Sequence, residues 1–205
     1  MSALPGIALA DWRAQGLGFT FQGQALRYWV AGDERAEPLL LIHGFPTASW
    51  DWHYLWAPLA ERYQVIACDM LGFGDSAKPR GHAYSLLEQA DLQQALLAHL
   101  NISVPVHVLA HDYGDSVAQE LLARHYDSQI QIASCVFLNG GLFPETHRPA
   151  LVQKLLLSPL GWMIGRAFGR NALASSFNQI FGPQTRPSES VLDDFWSLIS
   201  CNDGP

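Results

Sequence analysis

Four short, nearly unbroken apolar runs constrain this chain more than any other feature: Leu39–Ile42, Val65–Cys68, Val106–Ala110 and Ser134–Leu138. A strand with one wet face alternates polar and apolar residues, whereas a strand covered on both faces does not, and parallel strands are of the second kind. Helical segments lie between the runs. The clearest starts at Ser85, which reads with Glu88 as a capping box, and carries Leu92, Leu96 and Leu100 at four-residue steps along one apolar face. Such alternation predicts an α/β fold, a mostly parallel sheet flanked by helices. Ahead of it, Leu17–Phe21 and Ala25–Val30 flank Gln22-Gly23-Gln24 as a hairpin. Beyond Gly141 the composition shifts to Pro, Ser, Arg and Gly around helix-like pieces, one of which puts Leu192, Phe195, Trp196 and Ile199 on one face. Residues 1–140 are therefore expected to form the α/β core and 141–205 a helical insertion.

Composition narrows the partners. The 205 residues are 49% hydrophobic and 15% charged, enough to bury the core of one domain and little more. The net charge is −7 and no run of Lys or Arg could neutralise phosphates, which argues against nucleic acid or an anionic membrane surface. No stretch approaches the ~20 apolar residues of a membrane span. The expected partner is a small, apolar organic molecule. Cys68, Cys135 and Cys201 are too few and too scattered for a disulfide framework or a zinc site, so a reducing cytoplasm fits best and no metal or other cofactor is expected.

The sharpest local feature is Ala110-His111-Asp112-Tyr113-Gly114, between an apolar strand and a helix whose inner face is Val117, Ala118, Leu121 and Leu122. A side chain at the tip of so tight a strand-to-helix turn needs small residues two positions before and after it, and Ala110 and Gly114 supply them. Asp112 then stands where such an elbow carries its nucleophile. The plainer alternative is that Asp112 only caps the helix. Two further motifs follow strands: His43-Gly44-Phe45-Pro46 after Ile42, and Gly72-Phe73-Gly74-Asp75-Ser76 after Cys68. With Ala77 the latter also matches a dinucleotide pattern, but Lys78-Pro79-Arg80-Gly81 prevents a helix from opening there to hold a pyrophosphate.

Together these three motifs resemble the α/β-hydrolase superfamily, specifically its epoxide hydrolase and haloalkane dehalogenase branch. Asn139–Pro149, Phe181-Gly182-Pro183 and Thr185–Ser190 look like the mesoderm-specific transcript subgroup of that branch. The resemblance implies that Asp112 is the nucleophile, that the backbone N–H groups of Phe45 and Tyr113 form an oxyanion hole, and that Phe45-Pro46 is cis. His43, Gly44, Pro46, His111 and Gly114 are the supporting residues, with both histidines structural. It further implies that such chains continue through the rest of a helical cap, two more strands, a catalytic acid and a late histidine. None of the eight histidines here follows a late strand. The chain is therefore expected to lack the water-activating base and not to turn over alone. Ser134–Leu138 is expected to become a sheet edge that invites self-association.

The residue type at the elbow selects the chemistry. A carboxylate attacking an ester carbonyl would give a high-energy anhydride, whereas attack on saturated carbon gives an ordinary alkyl ester, and a carboxylate is already ionised at neutral pH. Dehalogenases resembling this chain follow the nucleophile with Trp and often carry Asn or Trp in the oxyanion loop to hold halide; here Tyr113 and Phe45 stand there. The expectation is therefore an epoxide-hydrolase-like enzyme. A haloalkane-dehalogenase-like hydrolase and a truncated or non-catalytic interaction protein are the alternatives.

Overall fold

A computed structural model describes residues 6–127, 130–141, 169–202 and 204. The chain divides into two compact units, residues 1–142 and 143–205.

In the first unit, helix α1 (Leu9–Gln15) precedes a hairpin of β1 (Leu17–Phe21) and β2 (Gln24–Ala31). Then come β3 (Pro38–Ile42), a 3-10 turn (Ser49–Trp52), α2 (Trp56–Ala60), β4 (Gln64–Cys68), α3 (Leu86–His99), β5 (Val106–His111), α4 (Tyr113–Ala123) and β6 (Ile132–Leu138). The sheet order is β1-β2-β4-β3-β5-β6. The hairpin joins antiparallel through β2 and β4, and the β4-β3-β5-β6 pairings are parallel. Every residue of β3 is buried, as its unbroken apolar run requires of a strand with neighbours on both edges and cover on both faces.

This order positions the site. The chain passes from β3 to β4 on one side and returns to β5 on the other, so the loops leaving β3 and β5 diverge at a switch point and open a crevice at their C-terminal ends. The register pairs Ile42 with Ala110, which brings the residues that follow, His43-Gly44 and His111-Asp112, side by side.

Local departures from expectation have physical causes. Ser85 Oγ accepts the Glu88 N–H at 3.1 Å, but the Glu88 carboxylate turns to His82 Nε2 at 2.8 Å, so the capping box is only half made. Along α3 the buried residues include Gln89 and Gln93 beside Leu92 and Leu96. Gln89 earns its place by exchanging hydrogen bonds with the backbone of Leu71. Strand β6 ends the sheet among the described residues, with Val136 50% and Leu138 37% exposed.

The second unit contains α5 (Arg170–Ile180) and α6 (Glu189–Ser200). On α6 the buried face is Leu192, Phe195, Leu198 and Ile199, so Leu198 takes the place expected for Trp196, which is only partly covered. Phe177 of α5 packs edge-on against Phe195 at 5.3 Å. Residues 142–168, which hold most of the Asn139–Pro149 motif, lie outside the described residues.

Candidate active site

Asp112 sits between β5 and α4 with φ 54° and ψ −116°, a conformation that costs an L-residue about 1–3 kcal/mol. The surroundings enforce it. A Cβ at Gly114 would lie 2.5 Å from Ile42 O and 2.7 Å from His43 O, and one at Gly44 would lie 2.7 Å from Asp112 Cβ. Ala110 is fully buried. The turn is therefore closed by the absence of side chains on both sides of it.

The Asp112 geometry differs from that of a helix cap in the same chain. Ser85 caps α3 from extended backbone, φ −138° and ψ 154°, and accepts the N–H three residues on. Asp112 has positive φ, and its Oδ1 accepts the N–H of the next residue, Tyr113, at 2.6 Å. The same Oδ1 accepts a second N–H from Phe45, at 2.9 Å and 67 positions away in the chain. Two backbone donors from two loops thus converge on one carboxylate oxygen. The Phe45-Pro46 bond is cis.

His43 is fully buried and doubly committed. The Met70 N–H donates to its Nε2 at 3.1 Å, so Nδ1 carries the proton and donates to Gly44 O at 2.9 Å. Burial pulls its pKa down to about 4, against the Gly44 carbonyl and with the help of His111, so the ring stays neutral. The His111 Nδ1 lies 3.0 Å from where a Gly44 Cβ would stand, and its ring meets Trp52 edge-on at 6.4 Å.

Three carboxylates near the elbow had no assigned task in the sequence motifs. Asp69 is buried and accepts from Ser49 N and Oγ and from Asp75 N, which ties the Gly72–Ser76 turn to the loop after β3; burial raises its pKa to about 6. Gly74 is required there, because a Cβ would fall 2.1 Å from Asp69 Oδ2. Asp115 lies in the first turn of α4, where a carboxylate favours the helix dipole. It is fully buried and accepts from the N–H groups of Leu138, at 3.4 Å, and Gly140, so it pins the end of β6 to α4; burial raises its pKa. Asp51 receives the hydroxyl of Thr47 and the N–H of Gly44. The sequence signal for Asp115 was Gly140, whose Cβ would clash with it; Asp51 has no comparable signal.

Phe45, Phe73 and Tyr113 form an aromatic wall beside Asp112. Phe45 is 58% exposed, its ring is edge-on to Phe73 at 6.2 Å, and Phe73 is 5.9 Å from Tyr113. A separate groove, lined by Ala98, Ile102, Arg124 and Asp127, lies at the C-terminal ends of α3 and α4. Because α4 runs away from the elbow, that groove is at the opposite end from the convergent donors.

Known proteins are similar to this chain in sequence and in fold. The chain is 45% identical to the mesoderm-specific transcript homolog protein of Homo sapiens over 209 residues, 96% of this chain and 62% of that protein. It is 33% identical to a cis-3-alkyl-4-alkyloxetan-2-one decarboxylase of Shewanella oneidensis over 83% of this chain and 52% of that protein. The chain spans less than two thirds of either relative. The solved epoxide hydrolase CorEH shares the fold at a TM-score of 0.71 and 24% identity, over 91% of this chain and 68% of that one. The family model for the alpha/beta hydrolase fold matches residues 37–190 and so takes in the parallel strands, the loop after β3 and the elbow: this chain belongs to the α/β-hydrolase fold family.

Proposed function

We propose that the chain carries the nucleophile and oxyanion hole of an epoxide-hydrolase-like enzyme, with Asp112 as nucleophile and the N–H groups of Phe45 and Tyr113 as oxyanion hole. The observation that carries this reading is the pair of backbone donors on Asp112 Oδ1, at 2.9 and 2.6 Å. With Oδ1 held, Oδ2 is the oxygen aimed at substrate. It attacks a saturated ring carbon, the C–O bond of the epoxide breaks, and the ring oxygen leaves as an alkoxide that takes a proton. The product is an alkyl ester of Asp112. Water attacking Cγ would then put negative charge on Oδ1, where the two N–H groups already point, and collapse would release the diol.

Ring opening is favoured over halide displacement because Tyr113 and Phe45 offer a phenol and a benzene ring where a halide would need N–H donors. The relative named for an oxetanone, another strained oxygen ring, supports the same preference. The aromatic wall of Phe45, Phe73 and Tyr113 suits an apolar, aryl-bearing substrate. His43 is spent on two backbone bonds, so it is not the water-activating base. In the purified 205-residue chain the ester should therefore outlast its formation.

Incubation with styrene oxide, followed by intact-mass spectrometry and peptide mapping, tests this reading. One added epoxide mass on the peptide holding Asp112, absent from Asp112→Asn, is the expected result. Equal modification of the Asn variant would remove Asp112 as the nucleophile, and multiple turnovers by the chain would reveal a base that this reading omits.

A further inference from the structure

The loop that supplies the Phe45 N–H is gripped by a carboxylate that the reaction itself leaves unused. Asp51 lies on the 3-10 turn just beyond that loop. Thr47 Oγ1 donates to its Oδ2 at 2.5 Å, and the Gly44 N–H donates to the same carboxylate. Gly44 and Thr47 bracket Phe45-Pro46, so one side chain holds both ends of the bend. The peptide unit joining Gly44 to Phe45 is then fixed on every side: its carbonyl accepts from His43 Nδ1, the N–H before it goes to Asp51, and its own N–H goes to Asp112 Oδ1.

Asp51 also bears on the site through charge. Asp112, from the elbow, and Asp69, from the loop after β4, both act on its carboxylate. The remaining titratable groups at this loop are the imidazoles of His43, on the loop itself, and His111, at the end of β5, which flank Gly44; His43 is held neutral by burial. Three carboxylates thus meet around one loop with no described cation bonded to Asp51.

We propose that Asp51 is a positioning residue for the Phe45 N–H, and that the charge on its carboxylate sets the balance between alkylation of Asp112 and release of the ester. The inference rests on Asp112 being the nucleophile. Alkylation converts the Asp112 carboxylate into a neutral ester, so a negative neighbour raises the starting state more than the product and speeds this step. Hydrolysis builds an oxyanion on Oδ1, so the same neighbour slows it. Asp51 is only partly covered, yet the desolvation of its carboxylate, with Asp69 and Asp112 adding to it, pushes the pKa up to about 7, against the Thr47 and Gly44 hydrogen bonds. Its charge therefore changes in the neutral range.

The experiment has two arms, on the 205-residue chain and its Asp51→Asn and Thr47→Val variants. In the first, the Gly44 and Phe45 amide signals of 15N-labelled protein are followed between about pH 5 and pH 9. Both should move together in the wild type with a midpoint near 7, stay flat in Asp51→Asn, and move with a higher midpoint in Thr47→Val, which loses a bond that favours the charged form. In the second, the initial rate of Asp112 adduct formation with styrene oxide should rise roughly three- to tenfold across the same midpoint and show no inflection in Asp51→Asn. Flat amides in the wild type, amides that titrate alike in Asp51→Asn, or identical rate profiles would each overturn the proposal. If the wild type forms no Asp112 adduct at any pH, the nucleophile reading falls and the charge effect with it, while the amide titration still decides whether Asp51 positions the loop.

Discussion

Replacing Gly114 by alanine adds one methyl group at the place where β3, the elbow and α4 come closest. The new Cβ would lie 2.5 Å from Ile42 O, 2.7 Å from His43 O and 2.9 Å from Ile42 C. Carbon and oxygen normally approach to about 3.3 Å, so strand and helix would have to part by roughly 0.6–0.8 Å. No rotamer change relieves this, because all three obstacles are backbone. Overpacking a well-filled interior costs about 1–3 kcal/mol, and an immovable neighbour puts this substitution at the upper end, about 3 kcal/mol. For a domain of this size that is a fall in Tm of roughly 6–12 °C. Gly18→Ala is the control, since its Cβ would meet only Leu26 O, at 3.9 Å. Urea unfolding followed by tryptophan fluorescence measures both. The displacement also moves the His43-Gly44 peptide away from Asp112, so adduct formation should fall even where the variant remains folded. A Gly114→Ala protein within about 0.5 kcal/mol of the wild type would refute the reasoning.

Three other outcomes are expected. Asp115→Ala leaves the Leu138 and Gly140 N–H groups without their acceptor and should destabilise the chain by about 1–3 kcal/mol in the same unfolding assay; a neutral result would mean that water replaces the carboxylate. The stability of the wild type relative to Asp51→Asn should fall as pH rises from about 4 to about 7. The raised Asp51 pKa means that the fold keeps a proton which the unfolded chain, with its ordinary value of 3.8, has already released, and a difference that is flat with pH would contradict this. The 205-residue chain should self-associate through β6, and Val136→Lys should suppress it by placing a charge on that strand; light scattering showing a monodisperse wild-type monomer would count against the edge.

What the sequence disclosed follows from the range of the forces involved. The strands were legible because a two-sided cover leaves its mark inside each run: Leu39–Ile42 is apolar throughout and all of it is buried. Helix α1 was not anticipated. Its seven residues are too few to show a period, and they are held by Trp12 against Trp29 and Trp56, a contact between distant parts of the chain. On α6 the four-residue step from Leu192 points to Trp196, but Leu198 follows Phe195 by three residues on the same side, and packing buries Leu198 instead.

The site divides along the same line. Gly114 could be recognised as a position requiring a small residue and Gly44 as part of the loop motif after β3, but a glycine in a sequence does not name what would strike its missing Cβ. The parallel register of β3 with β5 supplies that name. By pairing Ile42 with Ala110 it sets Gly44 against Asp112, and it presents the carbonyls of Ile42 and His43 to Gly114. The two glycines therefore act on one turn from opposite sides: Gly114 lets α4 start against the end of β3, and Gly44 lets the loop after β3 pass close enough for Phe45 to reach Asp112 Oδ1. Asp51 escaped notice for a complementary reason. It bonds within its own segment, to Thr47 and Gly44, and its consequence appears only once the register has carried that segment to the elbow. A local motif can thus name the residue proposed as nucleophile, while the residue proposed to tune it becomes visible only through the pairing of strands 68 positions apart.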